Sequence, residues 1–152
     1  TLVINIIKGL IEQGYKVMLF NREMSNTEML KKMTVMDSNA LKYGDIRRND
    51  LSEKDKGEFN SISDKMKEDY KKFIMYDNVR TLHDCLREIS KHKPDIVIDD
   101  YIQLIDVQGV KEGRRFEIEK IMQEYNKLLN QQCLYSTDIT LIVINIIHIK
   151  VK

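Results

Sequence analysis

One proline, two cysteines, six glycines and no tryptophan occur in 152 residues. Each scarcity closes a class. Cys85 and Cys133 are too few for a disulfide framework, and neither sits in a CxxC or Cys/His metal spacing. A reducing compartment follows, and the chain is expected in the cytoplasm. No linker rich in Gly, Ser or Pro, no internal repeat and no low-complexity block divides the sequence. Charge of one sign is also missing, because 25 Lys+Arg against 24 Asp+Glu leave a net charge of +1. That balance excludes coating of nucleic acid by bulk charge, although a local basic patch stays open. No run reaches the roughly 18 apolar residues that a membrane span needs. The most apolar stretch, Ile139 to Ile149, carries Asn145 and His148. No membrane partner is expected. The start lacks an initiator Met, a basic leader and a small-residue cleavage site, and reads as a chain entered partway.

What is there suits a globular domain with a real core: 42% apolar and 32% charged residues. Val3, Ile6, Ile7, Leu10 and Ile11 recur at helical spacing over residues 1–13, and Gly14 fits a left-handed C-cap. Tyr15 to Phe20 reads as a short buried strand. Ser25, with Glu28 three residues on, marks a helix start, and Met29, Leu30, Met33 and Met36 are expected on its inner face. The polar stretch 41–72 holds a solvated helix capped by Ser52, with Phe59, Ile62 and Met66 as a narrow apolar stripe.

Phe73 to Tyr76 is a further strand, and residues 79–92 a further helix, ended by Pro94. The Ile-Val-Ile run of Asp95 to Asp100 suits a parallel strand covered on both faces. A glycine-containing loop over 106–113, a helix over 114–132 and a β-rich run over 139–147 follow. Strands alternating with helices give an α/β domain with a mainly parallel sheet.

Ligands of open parallel sheets bind at the carboxyl ends of the strands. Glu23, after the first strand, and Asp100, closing the third, lie at such ends. Their contexts add a resemblance. Asn21-Arg22-Glu23-Met24-Ser25 resembles the S-L-E-M-S segment of DnaB-type replicative helicases, and Asp99 to Ile105 resembles their Walker B segment, D-Y-L-Q-L. Thr1-Leu2-Val3-Ile4-Asn5-Ile6 is similar to the S-L-A-L-N-I run that follows the family's phosphate loop. Gly113 to Ile118 is similar to the basic start of the helix after Walker B. The motifs keep the family's order over residues 1 to about 132.

The resemblance implies a single partial RecA-like domain over 1–152: a mainly parallel sheet flanked by helices, incomplete at both ends. It implies an ATP-dependent motor that works as a ring, as a homo-oligomer and expectedly a hexamer, and unwinds DNA by moving along single strands. Primase or a helicase loader would be further partners. Asp100 would hold Mg²⁺ through water, and Glu23 would activate the attacking water as the catalytic residue. Lys32 could add positive charge near the ATP phosphates, or be a solvated helix lysine. Lys111, Arg114 and Arg115, on the loop after Walker B, would contact the DNA backbone.

The sequence also departs from the family. No GxxxxGK[ST] occurs, so the Walker A lysine and its Mg²⁺-binding hydroxyl are missing. The chain alone is therefore expected to bind nucleotide weakly or not at all. Lacking the strand ahead of that loop, a central one, the sheet is expected to leave edge N–H and C=O groups and apolar faces open, predicting a marginal or aggregation-prone isolated chain. Ile146 falls where the family's sensor strand is followed by Gln, leaving Asn145 or His148 to stand in, and Cys133 to Thr137 reads as inserted. A non-catalytic RecA-like module that assembles with a helicase ring is the alternative reading.

Overall fold

The computed structural model describes residues 2–38, 40–109, 113–133 and 140–144, with side chains as far as Leu128. The order is α1 (Leu2–Glu12), β1 (Val17–Asn21), α2 (Asn26–Asp37), α3 (Tyr43–Arg48), α4 (Glu53–Asp69), β2 (Phe73–Tyr76), α5 (Leu82–His92), β3 (Ile96–Asp100), a single 3-10 turn (Ile102–Leu104), α6 (Arg114–Cys133) and β4 (Thr140–Ile144).

The four strands form one sheet in the order β2-β1-β3-β4, and all three pairings are parallel. The sheet is small, as the incomplete domain expected from the sequence implies. Among the described residues, β2 and β4 are the edges.

Both faces are covered, which is why β1 and β3 are buried at every position. On one face Met18, Phe20 and Val97 pack with Leu82, Cys85 and Ile89 of α5 and Ile121 and Tyr125 of α6. On the other, Val17, Leu19, Ile96 and Ile98 meet Ile4 and Ile7 of α1, Met29 and Met33 of α2 and Met66 of α4. Strand periodicity sends alternate residues to these two layers.

Local signals set the boundaries. Gly14 takes φ +90° after α1, the conformation its position requires. β1 begins at Val17 and not at Tyr15, which is 43% exposed. Ser25, Ser52 and Thr81 cap α2, α4 and α5 with their side chains. The Thr81 cap starts α5 at Leu82, later than the apolar spacing from Val79 implied. Leu30 is 46% exposed and not inward, because Met29 and Met33, four apart, already fill the contact and Leu30 is turned away from them. Glu28 does not complete a capping box; its carboxylate takes bonds from Lys31 and the Tyr43 hydroxyl.

Candidate functional site

The carboxyl ends of β1 and β3 lie side by side: Asn21 pairs in register with Asp100, and the Arg22 N–H donates to the Asp100 carbonyl at 3.0 Å. Beyond β1 the chain turns sharply into α2. The Asn21 side-chain N–H donates to the Met24 carbonyl at 2.7 Å, and Ser25 accepts from the Glu28 N–H at 3.2 Å. The Asn26 N–H is held by Asp77, after β2, at 2.7 Å. Glu23 stands exposed in this pinned turn.

Asp100 contrasts with it. Its side chain is only 5% exposed, and its Oδ1 has no hydrogen-bond partner. Burial pushes its carboxyl up from the ordinary range, and the negative charges of Glu23 and Asp99 push it further. Glu23 follows the end of β1, whose last residue, Asn21, pairs with Asp100, so the two carboxylates lie at the carboxyl ends of neighbouring strands.

A buried carboxylate oxygen without a donor, next to a second carboxylate, is a set that accepts a cation. The unpartnered oxygen of Asp100 fits Mg²⁺ held by one carboxylate, waters and substrate oxygens, the usual manner for that ion.

Directly behind this edge, on the opposite face, lies a polar network that sequence reading did not find. Arg22 and Asp99 form an ion pair with both side chains fully buried. The Tyr125 hydroxyl donates to the other Asp99 oxygen at 2.6 Å. Arg22 also donates to the Val79 carbonyl at 3.2 Å and to Cys85 Sγ at 3.0 Å. Burial raises Asp99 against the pull of Arg22 and Tyr125, and lifts the Cys85 thiol to about 11. Cys85 is accordingly a neutral thiol at ordinary pH. The available signal was the charged residues Arg22 and Asp99 at the ends of two apolar runs, Val17–Phe20 and Ile96–Ile98.

The other expected site residues scatter. The Lys32 ammonium sits over the Tyr43 ring, 5.7 Å from its centre, at the α2–α3 contact. Arg114 turns back: its guanidinium donates to the Ile105 carbonyl at 3.1 Å and the Ile102 carbonyl at 3.2 Å, and pairs with Glu117. It ties the 3-10 turn after β3 to the start of α6. Arg115 points outward, 87% exposed, and meets Glu119 at 3.0 Å. Lys111, Asn145 and His148 lie outside the described residues, as does 134–137 of the segment read as inserted.

A small parallel sheet with helices on both faces and acidic side chains at its carboxyl edge is a RecA-like α/β arrangement. The description "DnaB-like helicase C terminal domain" matches residues 1–143, and the chain belongs to that family. Two solved structures share the fold. One, described as an "ATPase Domain", superposes with a TM-score of 0.68 at 17% identity, over 91% of this chain and 50% of that one. "The Structure Of A DnaB-Like Replicative Helicase And Its Interactions With Primase" gives 0.63 at 18% identity, over 88% of this chain and 32% of that one. The chain thus spans half or less of these relatives. No curated protein matches it. Among the described residues no helix is long and apolar enough to cross a membrane.

Proposed function

We propose that these residues are part of the ATP-driven motor of a replicative DNA helicase, a single partial RecA-like domain in a ring that couples hydrolysis to strand separation. The observation that supports it best is the Asn21–Asp100 register, which sets Glu23 and Asp100 at neighbouring strand ends where the charge of one acts on the other.

In this reading Asp100 holds Mg²⁺ through water, using the oxygen that no protein group satisfies. When bound, Mg²⁺ supplies charge neutralisation on the β- and γ-phosphates of ATP. Glu23, exposed and held in a pinned turn, orients the attacking water and accepts its proton on a carboxylate oxygen. Lys32, whose ammonium sits over the Tyr43 ring, would add positive charge near the phosphates. No GxxxxGK[ST] occurs in the 152 residues, so the backbone cradle for the phosphates must come from another segment. We expect these residues alone to lack ATPase activity.

Lys111 and Arg115 are the proposed contacts to single-stranded DNA. Arg114 fits a different part, holding the turn that joins β3 to α6, and so linking the metal-binding strand to that DNA-facing loop. A hexameric ring and a primase partner are further parts of the proposal; the second structural relative is described with primase.

Strand separation tests this. A longer chain that carries a phosphate loop ahead of these residues should unwind a forked duplex in the presence of ATP and Mg²⁺. If it binds a helicase ring but hydrolyses nothing, the non-catalytic module is the correct reading.

A further inference from the structure

Asn21 and Asp100 are register partners in a parallel pair, so their side chains leave the same face of the sheet. Asn21 is 0% and Asp100 5% exposed. Each ends in an oxygen that no protein group satisfies, Asn21 Oδ1 and Asp100 Oδ1. The Asn21 amide cannot exchange its ends freely, because Nδ2 is committed to the Met24 carbonyl. Its oxygen is therefore left facing away from the turn.

Two buried acceptors side by side need donors. The nearby guanidinium groups are engaged elsewhere: Arg22 binds Asp99 across the sheet, and Arg80 donates to the Arg22 carbonyl at 3.1 Å. A neutral water would satisfy both oxygens. With Glu23 two residues beyond Asn21, a second carboxylate stands at these paired strand ends, a setting that favours a hydrated cation over a neutral water.

We propose that Asn21 is a further residue of the divalent-cation site, its Oδ1 and Asp100 Oδ1 together accepting from the waters of a hydrated Mg²⁺. The proposal rests on the reading of Asp100 as the metal-holding residue. The two oxygens would fix the water shell in two directions, where one carboxylate oxygen leaves it free to swing.

Mn²⁺ titration of the isotope-labelled 152-residue chain, followed by NMR, tests it. In the wild type, Mn²⁺ should selectively broaden the amides of residues 21–23 and 100 and the side-chain NH₂ pair of Asn21. Asn21→Ala should weaken Mn²⁺ binding about tenfold, the scale of losing a partner that orients a metal's ligands. Asn21→Asp should strengthen it, and Asp100→Asn should abolish it. If both Asn21 variants bind Mn²⁺ like wild type while Asp100→Asn does not bind, the pair holds a bridging water only; the Asn21 proposal is overturned and the reading of Asp100 stands. If the wild type shows no selective broadening, or Asp100→Asn binds normally, both fall. Should Asn21→Ala fail to fold, Asn21→Asp and the wild-type Asn21 NH₂ signal decide; an NH₂ pair untouched by Mn²⁺ overturns the proposal.

Discussion

Arg22 and Asp99 form a fully buried ion pair, one position before Glu23 on one strand end and one before Asp100 on the next. The pair lies on the face opposite Asp100, against Tyr125 of α6, and staples the ends of β1 and β3. Breaking such a pair costs more than removing it whole, since a lone buried charge remains. Arg22→Leu should destabilise the chain by about 3–5 kcal/mol in urea unfolding. Arg22→Leu with Asp99→Val should recover most of that loss. Single and double variants of equal stability would show that the pair is not coupled.

Asp100 should cost stability at neutral pH. Burial, then Glu23 and Asp99, raise its carboxyl above its unfolded value. The folded state therefore binds this proton more tightly than the unfolded chain. The contribution is complete below the unfolded value, pH ~4, and is lost as pH rises through the folded one. Asp100→Asn should be more stable than wild type at neutral pH, with the gap closing in acid. Thermal unfolding across that range checks it; a gap independent of pH contradicts it.

The two arginines that open α6 should part company. Arg114→Ala removes two hydrogen bonds to backbone carbonyls and should cost about 1–3 kcal/mol with little change in DNA affinity. Arg115→Ala should leave stability within about 0.5 kcal/mol. It should weaken binding of a fluorescent single-stranded oligonucleotide and lower the slope of its salt dependence by about 0.7 if Arg115 neutralises one phosphate. The reverse pattern would place the DNA contact at Arg114.

Much of this fold is legible because its signals are local. The Ile-Val-Ile run of β3, the Ser25 and Ser52 caps and Gly14 each act within a few residues. Phe73–Tyr76 forms β2 at the bounds its apolar run implies. The misses have physical causes. α3, six residues long, and the 3-10 turn are too short for periodicity to show. The Arg22–Asp99 pair depends on the register of strands 77 residues apart, which no local window holds. Sequence reveals the charges of Arg114 and Arg115 but not that one is spent on carbonyls. Glu23 and Asp100 were recognisable as candidates because strand ends mark ligand edges in parallel sheets; Asn21, polar and uncharged, was not.

The most direct test is ATP hydrolysis, with and without single-stranded DNA, by a chain that supplies a phosphate loop ahead of these residues. Glu23→Gln and Asp100→Asn should each lower the DNA-stimulated kcat by about 100-fold or more, with both proteins folded. Turnover that survives both substitutions would contradict a shared catalytic edge at Glu23 and Asp100.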